Sequence, residues 1–219
     1  ARSQGEPLTG RFNMVSGEQF EHVIMANESQ KFLMASDAGY GFVGSFADML
    51  SKNKAGKAYL SLPSAAKVLT PVLVNDIETD RCLAISNEGR MLLFPLRDLP
   101  SLGKGKGNKI INIPSAKAKT REEFIVAFAV VPNGCDVKIL AGKRGMTLKA
   151  SDLEHYYGER GRRGNKLPRG LQRVDGVEVI VPDGSLVDSE TAVDISSDID
   201  LTASKTSGSA ASDDLFSDD

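Results

Sequence analysis

The sequence predicts an all-β, propeller-like array of four-stranded repeats rather than a single-site globule, and three observations carry that prediction. A unit of about 50 residues occurs three times, over 31–48, 81–98 and 136–152, with Gly39, Gly89 and Gly145 in one shared place and Asp48, Asp98 and Asp152 in another. Each copy is followed by a glycine-punctuated basic loop: 52–57, 103–109 and 160–166. The strands between these landmarks are short apolar runs without clean alternation, which suits strands covered on both faces by neighbouring sheets.

Each element follows from its local sequence. First strands are expected at 23–26, 72–74 and 124–131, ending in the polar turns 27–30, 75–80 and 132–134. Asn133-Gly134 is the strongest of these hairpin signals. Second strands follow at 32–35, 82–85 and 137–140, then three-residue loops in which Gly39, Gly89 and Gly145 supply the left-handed residue. Third strands are expected at 42–43, 91–94 and 146–148, and the aspartates after them suit turns or helix caps. Fourth strands at 58–62 and 109–113 are closed by Pro63 and Pro114, since proline cannot donate to a ladder. Residues 171–181 read as a final strand packing back on the domain.

The net charge of −2 conceals a split. Residues 183–219 carry ten acidic side chains against the single Lys205, a net of −9, so residues 1–182 stand at +7. The sequence thus divides into a basic repeat domain, 1–182, and an acidic Ser/Asp-rich tail, 183–219, too polar to offset its ordering entropy and expected to be disordered. No apolar run reaches the 18 or so residues of a membrane span, so a soluble protein is expected. Cys82 and Cys135 lie in apolar stretches and are read as reduced core residues of a cytoplasmic protein. Gly5, Gly56 and Gly107 are separated by equal steps of 51, so the chain is read as a piece that begins inside a repeat.

No residue pattern supports catalysis or a bound cofactor. His22 and His155 lie in unrelated places without metal-ligand spacing, and the Gly103–Gly107 run lacks both the hydroxyl residue after a terminal lysine and a following helix. What recurs is cationic: Lys52, Lys54 and Lys57; Lys104, Lys106 and Lys109; Arg160, Arg162, Arg163 and Lys166. Lysine and arginine on glycine-rich loops let backbone approach a phosphate strand while neutralising it, which gives affinity without reading sequence. With no aromatic residue between these positions, stacking on single-stranded bases is disfavoured and double-stranded DNA is the expected ligand. Loops along the rim of a bladed domain require that duplex to bend. The competing class is a protein-interaction propeller, whose rim would be apolar or of mixed charge.

The runs 38–42, 104–114 and 158–164 resemble the C-terminal domain of the bacterial topoisomerase IV A subunit (ParC) of gammaproteobacterial type, over residues 1–181. The resemblance implies a broken β-pinwheel of hairpin-exchanging blades. It implies a non-catalytic domain that binds and bends duplex DNA and presents crossovers to a cleavage core, for decatenation and supercoil relaxation in the nucleoid. The tyrosine chemistry, magnesium and ATP belong to other parts of that heterotetramer, which includes the ATPase subunit ParE. The related gyrase A domain wraps DNA with a Gln-Arg-Arg-Gly-Gly-Lys-Gly box; residues 161–166 are the nearest approach here, which favours bending over gyrase-type wrapping. A further implied partner is the hinge of an SMC-type condensin, MukB, with Arg144 and Arg169 as the expected contacts.

Overall fold

The computed structural model describes residues 5, 10–12, 14–183 and 186, together with the backbone of residues 192–194. In chain order its strands begin with β1 (His22–Ile24), β2 (Lys31–Ser36), β3 (Tyr40–Ser45), β4 (Val72–Val74), β5 (Arg81–Ser86), β6 (Arg90–Pro95) and β7 (Asn108–Lys109). They continue with β8 (Ile125–Val131), β9 (Asp136–Ala141), β10 (Arg144–Leu148), β11 (Asn165–Lys166), β12 (Gly176–Ile180) and β13 (Ala192–Asp194). Three short helices, α1 (Phe46–Met49), α2 (Ser115–Lys119) and α3 (Ala150–Leu153), punctuate them. Ser45 caps α1 by accepting from the Asp48 N–H at 3.2 Å, and Asp152 accepts from the Lys149 N–H at 3.1 Å at the start of α3. The recurring aspartates are therefore helix-start residues at these two positions, while Asp98 ends a single 3₁₀ turn, Leu96–Asp98, without a side-chain cap.

The central hairpin of each repeat is β2–β3, β5–β6 and β9–β10. The first two turn through three residues, with Gly39 (φ 88°) and Gly89 (φ 68°) donating to the carbonyls of Ser36 and Ser86. The third corrects the sequence expectation. Ala141 pairs with Arg144, so only Gly142 and Lys143 form the loop, and Gly145 lies in the strand opposite Leu140. A two-residue loop that matches strand twist needs its first residue at positive φ, and Gly142 supplies it at 60°.

Sheets form by lending strands between repeats. β4 pairs antiparallel with β2 and β7 with β3, giving the order β4-β2-β3-β7. The next sheet repeats this as β8-β5-β6-β11, and the third is β10-β9-β12. The blades are thus propeller-like and unclosed: the first two are four-stranded, each hairpin completed by strands of the following repeat rather than by its own flanks, and the third has three strands. The expected fourth strands are shorter than their apolar runs. Leu60 makes only an isolated parallel bridge with Gly105, and beyond Lys109 the chain turns inward to bury Ile110, Ile111 and Ile113. Within residues 183–219, Ala192–Asp194 pair with β1, His22 opposite Asp194, where an open strand edge offers unmet backbone groups. The remaining tail, apart from Asp183 and Leu186, lies outside the described residues, and the expected disorder with it.

Alternate side chains of each blade feed different cores. Leu33, Ala35 and Val43 meet Cys82, Ala84, Leu92 and Phe94 between the first two sheets. The opposite face of the second sheet, Leu83, Ile85, Met91 and Leu93, packs on Val137, Ile139 and Leu148 of the third. Phe32, Met34 and Phe42 form a smaller cluster on the outer face of the first sheet. This explains the unbroken apolar runs of β2, β5 and β6, whereas β9 alternates between buried and half-buried positions because its second face meets less protein. Both cysteines are buried and unbridged, and burial pushes their thiols upward from the ordinary range. No helix among the described residues is long and apolar enough to cross a membrane.

Two ion pairs tie distant segments together at the blade junctions. Arg121, itself left-handed at φ 62°, reaches the buried carboxylate of Asp37, which also accepts from the Lys67 N–H at 2.8 Å. Arg163 grips the carboxylate of Glu123 with both terminal nitrogens, Nη2 at 2.9 Å from Oε2, and donates to the Asn112 carbonyl at 2.8 Å. The Glu123 side chain is 1% exposed. Removing one member of such a pair strands the other charge in the interior.

Arg163→Met is therefore expected to cost about 3 kcal/mol in urea unfolding, and the double variant with Glu123→Gln to recover most of that loss. Phe94→Ala, at the centre of the first inter-sheet core, should cost about 3–5 kcal/mol in the same measurement. A loss below about 1 kcal/mol would show that these sheets do not depend on each other's side chains for stability.

Candidate nucleic-acid interface

The second and third basic loops are positioned by the strands that leave them, β7 and β11. In the second loop Gly107 (φ 76°) sits so close to β3 that a Cβ there would fall 2.0 Å from the Gly41 carbonyl oxygen. Gly164 (φ 73°) repeats the arrangement against β6, where a Cβ would fall 2.5 Å from the Met91 carbonyl oxygen. In both cases the tripeptide Gly-Asn-Lys lets the chain lie against the preceding blade and then pair with it, as β7 and β11. Main-chain bonds also join one loop to the next. Gly105 donates to Tyr59 O and Ser61 donates to Gly105 O, both at 2.9 Å. Gly161 donates to Ile110 O and Asn112 to Arg162 O, again at 2.9 Å. The segments leaving the first and second loops are thus each stitched to the loop that follows.

On this scaffold the ten predicted cations separate by environment. Lys52 and Lys54 are exposed in the first loop, and Lys57 donates to the Asp48 carbonyl with its ammonium 6.0 Å from the Tyr59 ring. Burial first, and the Asp48 charge second, push the Tyr59 phenol up to about 12, so the ring stays neutral beside that lysine. Lys104 and Lys106 are exposed in the second loop. Lys109 is half-buried and donates to Asn112 Oδ1 at 2.9 Å. In the third loop Arg162 is exposed and pairs with Glu159 at 2.7 Å, and Lys166 is exposed in β11. Arg160 and Arg163 are turned inward: Arg160 donates to the Lys109 carbonyl at 2.9 Å, and Arg163 holds Glu123. These two arginines build the joint between the second and third loops.

Arg144 lies against the turn that carries Arg169. Arg144 opens β10, and its guanidinium lies over Gly170, where a Cβ would come within 2.7 Å of Nη1. Arg169, exposed, precedes that glycine directly.

Several residues at these joints escape sequence reasoning. Glu123, Asp37 and Arg121 act across 40 and 84 positions of chain, and no local pattern marks them. Tyr40 reads from sequence only as part of a turn and strand, yet its ring lies beside Lys106 and Lys109 of the following repeat. Lys117 of α2, 3.9 Å from Glu123, adds another cation beside the Arg163 joint. Among the described residues no cluster of histidine, cysteine and carboxylate side chains is arranged to hold a metal.

Comparison with known proteins fits this architecture. Residues 80–132 match a family described as DNA gyrase C-terminal domain, beta-propeller. The A subunit of DNA topoisomerase 4 from Pseudomonas aeruginosa is 55% identical over 182 residues, covering 83% of this chain and 24% of that protein. The chain therefore spans about a quarter of the length of such relatives. A solved structure titled as the E. coli ParC C-terminal domain superposes with a TM-score of 0.77 at 50% identity, covering 83% of this chain and 73% of that one. The DNA gyrase A C-terminal domain shares the fold, with a TM-score of 0.57 at 16% identity over 89% of this chain and 59% of that one. With blades completed by strand exchange and half of the aligned residues identical to a solved member, this chain belongs to the family of ParC C-terminal domains, from the A subunit of DNA topoisomerase IV.

Proposed function

We propose that the domain binds duplex DNA through its phosphate backbone along the row of basic loops, bends it, and presents a crossing segment to the cleavage core of topoisomerase IV. The observation that carries this reading is the serial stitching of the loops: Tyr59 and Ser61 to Gly105, then Ile110 and Asn112 to Gly161 and Arg162. Loops fixed to one another hold their cations at set spacings, which is what a regular polyanion requires, and such contacts supply affinity independent of base sequence. Lys52, Lys54, Lys57, Lys104, Lys106, Lys109, Arg162 and Lys166 are the proposed phosphate contacts. Arg160 and Arg163 contribute by fixing the loops that carry them.

In this reading the chain performs no chemistry itself. Strand cleavage, magnesium binding and ATP hydrolysis belong to ParE and to the remainder of ParC within an A2B2 enzyme, and the domain acts in the cytoplasm at the nucleoid during decatenation and supercoil relaxation. The adjacent Arg144 and Arg169 form a separate cationic spot that suits a protein partner, for which the hinge of an SMC-type condensin such as MukB is the candidate.

Anisotropy titration of the chain with a random-sequence duplex over a range of salt tests the first part. A log–log slope of several units is expected, falling by about 2 in Lys104→Met/Lys106→Met, at ~0.9 per phosphate contact. A slope unmoved by that double variant would shift the assignment to a protein-interaction propeller. For the second spot, Arg144→Glu/Arg169→Glu should abolish hinge binding in a pull-down while leaving the salt slope unchanged; unaltered hinge binding would remove the assignment.

A further inference from the structure

Lys106 lies in the second basic loop between two glycines of positive φ, Gly105 (136°) and Gly107 (76°). Glycines on both sides leave the loop to be ordered by other contacts. The ammonium of Lys106 is nevertheless placed: its Nζ stands 4.3 Å from the centroid of the Tyr40 ring, and Lys109 Nζ stands 6.0 Å from the same centroid. Tyr40 is well fixed for this purpose. It opens β3, its main chain pairs with Lys109 of β7, and its ring is half-buried against the core between the first two sheets.

The chemistry of this contact differs from that at neighbouring cations. Arg162 and Arg163 are matched by the carboxylates of Glu159 and Glu123. Lys57 and Lys109 donate to oxygen acceptors. Among the described residues no carboxylate and no hydrogen-bond acceptor meets Lys106 Nζ. An aromatic face attracts a cation through its quadrupole without cancelling its charge or occupying its N–H donors. Tyr40 can hold the ammonium in place and leave its donors open to an anion.

We propose that Tyr40 is a positioning residue that preorganises Lys106 to meet a phosphodiester oxygen of the duplex. This rests on the duplex-binding reading above and adds to it a residue from the preceding repeat that carries no charge. Ordering a long side chain before the ligand arrives removes part of the entropic cost of binding. The ring is not a platform for an extruded base, because the core packs against it and a lysine covers it.

The test uses the 219-residue chain with Tyr40→Leu, Tyr40→Phe and Lys106→Met, alone and combined, titrated against random-sequence duplex and single-stranded DNA over a range of salt. Tyr40→Leu is expected to weaken duplex binding about two- to tenfold with an unchanged salt slope, since no charge is lost. Tyr40→Phe keeps the ring and should bind as the parent does. In the Lys106→Met background, whose slope is lower by about 0.9, Tyr40→Leu should have no further effect. An undiminished Tyr40→Leu effect in that background overturns the proposal, as does a Tyr40→Phe variant that binds as poorly as Tyr40→Leu. A loss confined to single-stranded DNA overturns it in favour of base stacking. The contact itself is read in the parent chain by NMR, where the Lys106 ε-methylene should be shifted upfield by the Tyr40 ring current. That reading stands even if Tyr40→Leu fails to fold, and an unshifted signal overturns the proposal. A shifted signal together with a Lys106→Met slope equal to the parent's would sink the duplex reading of this loop, and the positioning role with it.

Discussion

The rest of this architecture depends on backbone hydrogen bonding across repeats. A two-stranded hairpin such as β2–β3 leaves two open edges and is marginal alone; here one edge is closed by β4 and the other by β7, both from the repeat that follows. The second closure requires a close approach of backbone to backbone, which glycine at positions 107 and 164 permits. Because β7 and β11 emerge directly from basic loops, the bond pattern that completes a blade also fixes the cations ahead of it. Fold and candidate interface are in this sense one structure.

Much of this is legible in the sequence, for identifiable reasons. Strand exchange places apolar neighbours on both faces of β2, β5 and β6, and that environment writes itself as unbroken apolar runs. The hairpin loops at Gly39 and Gly89 are legible because a left-handed residue at a fixed offset admits few alternatives. The third hairpin is misplaced by sequence reasoning because two glycines, Gly142 and Gly145, compete within four positions; pairing across the strands selects the first, and no local signal ranks them.

The candidate interface is legible in its composition but only partly in its geometry. Lysines clustered with glycine and other small or polar residues report exposed loops, and Lys52, Lys54, Lys104 and Lys106 are exposed. Counting charge does not separate an arginine facing outward from one turned inward. Arg162 and Arg163 are adjacent, yet one is solvated beside Glu159 while the other holds the buried Glu123 contributed by a segment 40 positions away. Likewise, the absence of aromatic residues within the loops is true of the chain and incomplete for the fold, since Tyr40 arrives from the preceding repeat.

The alternating burial of β9 carries a consequence for motion. In a linear array whose units contact only their neighbours, stability accrues unit by unit and interface by interface. The second sheet has an interface on each face, whereas the third has its principal core on one face and only three strands. Its amides should therefore exchange with solvent through partial openings of lower free energy than those of β5 and β6, making the last blade the place where the domain loosens first. Arg144 and the turn bearing Arg169 sit at that end, so any partner docking there would meet the softest part of the molecule, and its binding would be felt as rigidity passed back along the row of blades.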